Sequence, residues 1–506
     1  MASPAPRIGL FGTFDLENFG DMLLPRIAER ELRARLPEAD IRFFGPLGYN
    51  GLNRFDDGRE VLPLGAWSWE RCAELASALD LVVVGGGEII HDHDDLLAPH
   101  YGLSESEMRE RAPSRFFIEG LGPEGEAQTP VVWNSAGIPD DIASEDAPRF
   151  RDALERRPYL AVRDEVSARR LQAAGVAADV VVVPDPAFVV DRLFEEELLD
   201  RRVEYLRLVG AMPPEEDGPP VVIQANRDSV VRAAEFAEVV AEIAGSSPVV
   251  ALSAGPCHGD DDFAEAFAER YRQMPGAVWV PGSQAGLADL VAIIRASRAV
   301  IASSFHADAV AEVYRIPCAV LALDGRTKLS AFGATVGEPA RIVTSLDQVV
   351  AAIAARTAPE VIEALRKRID IHFDRIAEVA VEAAWRRGDR VIGDIPRPDP
   401  TETVEGEVEQ LRAALEVRGR RLVDERLHLA DDMQELRTEI ARLQERLGAA
   451  DDRTDDLEGQ LAGARQELAD IRSTALWRRS QGLRGLYARF VMPLRRGRRR
   501  NGEDGS

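Results

Sequence analysis

The feature of this sequence that most constrains its fold is a series of short, continuous apolar runs rich in β-branched residues. Between residues 7 and 324 these runs alternate with longer stretches of helical periodicity. Continuous apolar runs are typical of strands buried on both faces of a parallel sheet. The alternation predicts right-handed crossovers and open, doubly wound α/β sheets. The predicted strands cover residues 8–12, 81–84, 131–134, 180–183, 221–224, 249–253, 300–302 and 319–323.

One interruption of this alternation predicts two lobes. Residues 195–208 have a helical pattern, and the proline-rich segment 212–220 follows before a new strand begins. We therefore assign residues 1–210 to an N-terminal Rossmann-like lobe and residues 218–395 to a C-terminal Rossmann-like lobe with closing helices. Two such lobes that face each other across a cleft form a GT-B-like architecture. Ligands are expected just outside the carboxyl ends of the strands.

A coiled coil is predicted for residues 404–475. Apolar residues recur there at alternating steps of three and four, which is the spacing of a coiled-coil seam. An extra step of four from Leu429 to Met433 predicts a stutter that locally unwinds the supercoil. We expect the segment to make the protein a homo-oligomer, although the seam residues do not fix the number of strands. A single solvated helix is the alternative.

A basic amphipathic tail is predicted for residues 476–506. Trp477 and Tyr487 recur with other apolar residues at helical spacing, arginines lie between them, and an arginine cluster follows Pro493. This pattern favours peripheral contact with an anionic membrane surface. A disordered basic tail, a nucleic-acid contact and a tail folded back on the acidic body are the alternatives.

Composition excludes several classes of protein. The net charge of −25 argues against a general nucleic-acid binder. Cys72, Cys257 and Cys318 are far apart and odd in number, which argues against both a CxxC metal clamp and a disulfide framework. The start lacks a signal-peptide layout, and no apolar run reaches the length of about 18 residues that spans a bilayer. We expect a cytoplasmic protein, with the tail allowing contact with the inner face of the membrane.

Polar residues follow the predicted strands of the N-terminal lobe. Asn18, Gly20 and Asp21 precede a helix, whose N-terminus offers backbone N–H groups to an anion, although a plain helix cap is the simpler alternative. A later strand ends in three glycines and Glu88, which allow a ligand to approach closely, and the strand after it ends at Asn134. The adjacent sequence HDHDD suggests a metal, but contiguous residues rarely converge on one ion, so no metal site is predicted. The candidate binding residues of these loops are Asn18, Gly20, Gly86, Gly87, Glu88 and Asn134.

Charged residues follow other strands of both lobes. Arg163 stands at the edge of a short strand, Asp185 lies between two prolines, and Arg227 follows the first strand of the second lobe. His306 lies where a strand ends and a helix begins, just after Ser304. An imidazole beside the free N–H groups of a helix N-terminus can bind an anion and pass a proton to it.

Five motifs in order resemble those of the polysaccharide pyruvyl transferase family. They are Asn18-x-Gly20-Asp21, GGGE after a strand, VRDEVS, PDPAF and SSFHADAVAEVYRIPCAV, and the resemblance covers about residues 10–332. The resemblance implies a GT-B-like fold and transfer of a pyruvyl group from phosphoenolpyruvate to a sugar, as a ketal that bridges two hydroxyls. It implies no cofactor beyond this donor substrate.

The family histidine aligns with His306, and Ser304 stands where many members carry an arginine. Other cations must then bind the donor, and the candidates are Arg163, Arg227, Arg326 and Lys328. Guanidinium groups pair bidentately with carboxylate and phosphate, and Arg163 and Arg227 are therefore the preferred candidates.

Ketal formation assigns a role to each candidate catalytic residue. His306 is the candidate acid, and Asp21 or Asp185 is the candidate base. The acceptor is expected to be a glycan or a lipid-linked glycan, and its sugar is not fixed by the sequence. A GT-B glycosyltransferase that uses a nucleotide sugar, and a non-catalytic coiled-coil scaffold with a degenerate transferase body, are the alternatives.

Overall fold

The computed structural model describes residues 5–48, 59–121, 129–282, 285–323 and 327–387, together with residues 459, 462–467 and 470. The chain divides into two compact units, Met1–Ala414 and Leu415–Ser506. The first unit contains both parallel sheets, and the described residues of the second unit are helical.

A seven-stranded parallel sheet forms the core of the N-terminal lobe. Its strands are β1 (Arg7–Phe11), β2 (Asp40–Gly45), β3 (Val61–Pro63), β4 (Leu81–Val84), β5 (Val131–Ala136), β6 (Leu160–Val162) and β7 (Val180–Val182). They are arranged in the order β3-β2-β1-β4-β5-β6-β7. The connecting helices are α1 (Phe19–Arg35), α2 (Trp69–Ala78), α3 (Ala98–Tyr101), α4 (Glu105–Arg111), α5 (Pro113–Ile118), α6 (Ala147–Leu154) and α7 (Glu165–Ala173).

A six-stranded parallel sheet forms the core of the second lobe. Its strands are β8 (Val221–Gln224), β9 (Val249–Ala251), β10 (Val278–Trp279), β11 (Ala299–Ala302), β12 (Cys318–Leu321) and β13 (Ile342–Val343), in the order β10-β9-β8-β11-β12-β13. The helices from here to residue 387 are α8 (Glu196–Leu208), α9 (Ala233–Ala244), α10 (Asp260–Tyr271), α11 (Leu287–Arg295), α12 (Phe305–Val313), α13 (Thr327–Val336), α14 (Val349–Ala354) and α15 (Pro359–Arg387).

Two helices cross between the lobes. Helix α8 follows the N-terminal lobe in sequence but packs on α11 of the second lobe, where Arg202 pairs with Asp289 at 2.6 Å. Helix α15 follows the second lobe but packs on α1, β1 and β4 of the first. Arg35 of α1 approaches Asp374 of α15 at 2.6 Å. The segment assigned from the sequence to the closure of the second lobe therefore covers the first lobe instead.

One hydrophobic cluster extends through both lobes. It contains residues of α1, of α11 and α12, and of α15, all of them nearly inaccessible to solvent. Burial of apolar surface of this kind is the main favourable term in folding, so the two lobes stabilise each other. The cleft is consequently built on a hydrophobic base that both lobes share.

The prediction of two parallel α/β lobes is confirmed. Each predicted strand run coincides with an observed strand, whereas the pattern missed β2, β3, β10 and β13, which are short or lie towards the sheet edges. Strand β7 is also an edge strand, and Val181 is exposed there rather than buried on both faces. The predicted coiled coil and basic tail lie outside the described residues, apart from the few helical positions between 459 and 470. Among the described helices, none is both long and apolar enough to cross a bilayer.

Candidate functional site

The candidate site lies where the carboxyl ends of the strands of both lobes approach each other. Helix α1 begins there, and its cap residue Asn18 accepts a hydrogen bond from the backbone N–H of Gly20 at 2.9 Å. The backbone N–H of Phe19 donates to the carbonyl oxygen of Ala254 in the second lobe at 2.7 Å. The start of α1 is thus fixed against both lobes.

Gly20 is one point at which the N-terminal lobe contacts His306. A Cβ atom added at Gly20 would lie 2.8 Å from Cγ of the His306 ring, and closer still to Nδ1 and Cε1. Only a residue without a side chain fits at this distance. The glycine of the Asn18-x-Gly20-Asp21 motif is therefore required because the imidazole packs on its backbone.

His306 lies in the first turn of α12 and approaches a buried carboxylate. Ser304 caps this helix by accepting a hydrogen bond from the backbone N–H of Ala307 at 3.4 Å. Nε2 of His306 is 3.5 Å from Oδ2 of Asp185, and the His306 side chain is 13% exposed. The imidazole is thus oriented by an acid from the opposite lobe while part of it remains accessible to a ligand.

Asp185 is held in its ionised form. Its Oδ1 accepts a hydrogen bond from the backbone N–H of Ala187 at 2.9 Å, which leaves Oδ2 for His306. Burial alone would raise the pKa of Asp185, but the neighbouring His306 and then Arg163 outweigh it and hold the pKa below its usual value. An ionised carboxylate is thus fixed beside the His306 ring.

Arg163 supplies a buried cation beside this pair. Its Nη2 is 3.2 Å from Oε1 of Glu88, and its guanidinium lies over the Phe305 ring at 4.8 Å from the centroid. Burial opposes its charge, but Glu88 and Asp185 more than compensate and raise the pKa of Arg163. Within the described part of the chain its Nε and Nη2 make no hydrogen bond, but both atoms are inaccessible to solvent and both face carboxylates. Nη2 faces Glu88, and Nε lies 3.6 Å from Oδ2 of Asp164. The guanidinium is thus a buried cation enclosed by acids beside the pair of His306 and Asp185.

Glycines make room for this group as well. A Cβ at Gly137 would lie 2.9 Å from Nη2 of Arg163 and 3.0 Å from Cγ of Glu88. Gly86 and Gly87 have φ angles of 119° and 84°, which favour glycine. A Cβ at Gly87 would lie 3.2 Å from Oδ1 of Asp21. The glycine-rich turn therefore reaches the start of α1.

Asp21 lies at this junction. Its Oδ1 accepts a hydrogen bond from the Thr13 hydroxyl at 3.0 Å, and the residue is only partly buried. Asp21 directly follows Gly20, which packs on the His306 ring. The structure thus brings Asp21, Glu88, Arg163, Asp185 and His306 to one part of the cleft.

Other predicted residues are placed differently. Oδ1 of Asn134 is bonded to Nε2 of His372 on α15 at 2.8 Å, and Nδ1 of that ring is 2.8 Å from the Tyr159 hydroxyl. Burial, with Arg35 nearby, lowers the pKa of His372 to about 3, so this ring is neutral. Asn134 therefore belongs to a buried network between the sheet and α15.

The remaining predicted cations do not join Arg163 in the described structure. Arg227 is 69% exposed in its side chain and pairs with Asp262 at 2.8 Å. Lys328 lies in the first turn of α13, and its side chain lies outside the described part of the chain, as does Arg326. Arg163 is consequently the cation with a defined place beside His306.

The sequence analysis did not identify the residues that hold the turn before His306 in place. The Gln224 amide donates to Oδ2 of Asp260 at 2.6 Å, and its Oε1 accepts from the backbone N–H of Ser303 at 3.0 Å. Gln224 is the last residue of β8, and a polar residue at that position is the signal that could have indicated this role. Phe305 and Gly137, which pack on Arg163, had no comparable signal.

The HDHDD segment, for which no metal site is predicted from the sequence, is held by a buried aspartate and by a pair of stacked histidines. Asp94 is buried and accepts hydrogen bonds from the backbone and the hydroxyl of Ser114, at 3.0 and 2.8 Å. The rings of His91 and His93 are stacked with centroids 6.5 Å apart. Asp94 therefore anchors the loop to α5.

Comparison with known proteins identifies a family. The family model described as polysaccharide pyruvyl transferase matches residues 18–325, which is more than half of the 506 residues. The matched range includes each of the residues that meet in the cleft. No curated protein matches the sequence.

Several solved structures are similar in fold. UDP-N-acetylglucosamine 2-epimerase from Rickettsia bellii has 10% sequence identity and a TM-score of 0.46, over 76% of this chain and 99% of that one. UDP-GlcNAc 2-epimerase from Neisseria meningitidis has 13% identity and a TM-score of 0.42, over 75% and 99%. A family 9 glycosyl transferase from Veillonella parvula has 13% identity and a TM-score of 0.36, over 76% and 99%. Because the identities and scores are low, nothing about ligands or reaction follows from these likenesses.

Proposed function

The chain belongs to the polysaccharide pyruvyl transferase family, and from this premise we propose that it moves a pyruvyl group from phosphoenolpyruvate to a sugar of a surface polysaccharide. The product is a ketal between the former enol carbon and two sugar hydroxyls. The observation that supports this assignment most directly is the pairing of His306 with Asp185 at 3.5 Å beside the buried Arg163. An acid, its carboxylate partner and an anion-binding cation are the groups that this reaction needs.

His306 delivers the proton that starts the reaction. The imidazolium protonates the methylene carbon of the donor, and the adjacent enol carbon becomes open to attack by a sugar hydroxyl. Asp185, nearly inaccessible to solvent, stabilises the imidazolium and orients its ring. General acid catalysis of this type contributes about 10²–10⁴-fold to a rate.

Arg163 and Asp21 complete the proposed mechanism. Arg163, the buried cation beside the pair of His306 and Asp185, binds the donor carboxylate. Asp21 accepts the proton of the attacking hydroxyl, because it is partly exposed and adjacent to Gly20 at the His306 ring. Phosphate leaves from the enol carbon, and the second sugar hydroxyl closes the ketal, so that one donor and one diol give one ketal and one phosphate.

The predicted coiled coil and tail would determine how many copies of the enzyme assemble and where in the cell they act. We propose that residues 404–475 assemble several copies and that residues 476–506 hold them at the inner face of the membrane, with the enzyme body in the cytoplasm. Lipid-linked glycan acceptors would then be presented at a high effective concentration. The support for this proposal is the heptad spacing and the arginine cluster of the sequence.

A phosphate-release assay tests the function. The purified full chain is incubated with phosphoenolpyruvate and a panel of candidate glycans, and released phosphate and new ketal signals are measured. We expect phosphate release only with an acceptor that carries a suitable pair of hydroxyls. His306→Gln should lower the rate by about 10²-fold or more. His93→Gln, a change at an exposed histidine of the N-terminal lobe, is the matched control.

Two results would contradict the proposal. One is the absence of phosphate release with every glycan that carries adjacent or 1,3-related hydroxyls. The other is a His306→Gln protein with the wild-type rate. Melting curves of both variants separate loss of chemistry from loss of the fold.

A further inference from the structure

A cluster of three metal-ligating side chains lies outside the proposed catalytic group. His100 belongs to α3 of the N-terminal lobe, whereas Cys257 and His258 belong to the loop after β9 in the second lobe. One ligating atom from each of the three lies within 4.8 Å of the other two. We call these residues the lobe-bridging cluster. It is the one such group of three among the described residues.

Backbone contacts hold the cluster in place. Nδ1 of His100 is 3.0 Å from the carbonyl oxygen of Cys257, and the His100 and His258 rings meet edge to face with centroids 5.2 Å apart. The backbone N–H of His258 donates to the carbonyl oxygen of Gly255 at 2.8 Å. Oδ2 of Asp260 accepts from the backbone N–H of Gly255 at 2.8 Å, which fixes the start of the loop. The ligating groups are thus preorganised on two lobes.

The chemistry of the cluster selects a class of ligand. One thiolate and two imidazoles are a donor set preferred by zinc and similar borderline-soft divalent cations. Bonds of about 2.3 Å to sulfur and about 2.0–2.1 Å to nitrogen put tetrahedral ligands roughly 3.5 Å apart. The three side chains need to approach by about 1 Å, which small rotations supply. A water molecule would complete the tetrahedron at the exposed side, where His258 lies.

We propose that His100, Cys257 and His258 bind one zinc-type divalent cation that joins the two lobes. Binding releases the thiol proton of Cys257 to solvent, and the cation then carries one metal–sulfur and two metal–nitrogen bonds. No oxidation or reduction takes part. Because the ligands come from both lobes, the cation stabilises the arrangement in which the lobes are close.

The cluster is connected to the cleft through Asn18. Nδ2 of Asn18 is 3.9 Å from Sγ of Cys257, while its Oδ1 caps α1. The backbone N–H of Cys257 also approaches the carbonyl oxygen of Glu17 at 3.5 Å. Cation binding therefore restrains the helix start that carries Gly20 against His306. This positioning role is independent of which group the enzyme transfers.

Cobalt binding tests the proposal without any assay of turnover. The full chain is treated with EDTA, desalted and titrated with Co²⁺ under reducing conditions. We expect one Co²⁺ per chain, an absorption band from a cobalt–thiolate bond, and loss of that band when Zn²⁺ is added. Zn²⁺ should also raise the melting temperature of the wild-type chain, because it binds the folded form.

Single substitutions identify the ligands. Cys257→Ser should abolish the cobalt–thiolate band, and His258→Ala should weaken Co²⁺ binding by about tenfold or more. His93→Ala, at the other pair of neighbouring histidines, is the control and should bind as the wild type does. His258 is exposed, so its variant carries the test even if Cys257→Ser fails to fold. A wild-type chain without the thiolate band, or variants that bind Co²⁺ as tightly as the wild type, would overturn the proposal.

Discussion

Gly20→Ala is the substitution that tests the site most directly. Gly20 is a helical residue, so alanine would by itself stabilise α1 by up to about 1 kcal/mol. The added Cβ would lie 2.8 Å from Cγ of His306 and closer still to Nδ1 and Cε1. Ordinary van der Waals contacts of a Cβ atom begin at 3.4 Å, so the ring or the helix must move by roughly 1 Å.

Two effects of this displacement are expected. Overpacking costs about 1–3 kcal/mol, which should exceed the gain in helix propensity and lower the free energy of unfolding. A misplacement of about 1 Å at a catalytic group can cost about 10²-fold in rate. We therefore expect the rate of phosphate release to fall by about that factor while the protein remains folded.

A double-mutant cycle separates the clash from other effects. Unfolding free energies are measured for the wild type, Gly20→Ala, His306→Ala and the double variant. If the imidazole causes the loss, Gly20→Ala should destabilise the His306→Ala background less than the wild type, or even stabilise it. Gly463→Ala is the control, since Gly463 is helical and a Cβ there meets nothing within 4 Å. Equal effects of Gly20→Ala in both backgrounds would refute the packing of Gly20 on His306.

Four further predictions concern donor binding, pH, assembly and the membrane. Arg163→Met should weaken phosphoenolpyruvate binding by about 1.5–3 kcal/mol in a calorimetric titration, and Arg227→Met by less, because only Arg163 is buried beside His306; equal losses would contradict this placement. Burial raises the pKa of Asp260 to about 7. Between about pH 4 and 7 the folded chain therefore keeps a proton on Asp260 that the unfolded chain has released. The free energy of unfolding should then decline as the pH rises from about 4 to 7. Asp260→Asn should flatten that slope in melting experiments, and an unchanged slope would assign it to other groups. A chain cut after Pro400 should have a lower number of copies per particle by light scattering; the same number would refute assembly through the coiled coil. The full chain should float with anionic liposomes at low salt and a chain ending at Thr474 should not; equal flotation would refute contact through the tail.

The apolar runs predicted the lobes because strands buried on both faces leave a clear pattern. Such a pattern is a local property, and it located β1, β4, β8 and β11 at the centres of their sheets. It could not place α15, because an amphipathic helix is compatible with either lobe. Buried apolar residues of α15 such as Ile369 and Phe373 decide that placement by packing in the cluster that also contains α1, and these contacts join residues far apart in sequence.

For the candidate site, the positions of the main residues were predictable from the sequence, but their contacts were not. His306, Asp185 and Arg163 each follow a strand, so their position at the sheet edges could be inferred from the sequence. Their partners could not, since the approach of Gly20 to His306 depends on how two lobes meet. For the same reason the sequence shows no relation between His100 and Cys257, which are separated by 157 positions.

The crossing helices α8 and α15 make each lobe depend on the other. The chain passes from one lobe to the other twice, once before α8 and once before α15, and each crossing is fastened by ion pairs on the far side. Each lobe therefore contributes a helix that covers part of the other. Neither lobe is a module that could be exchanged between proteins without that helix.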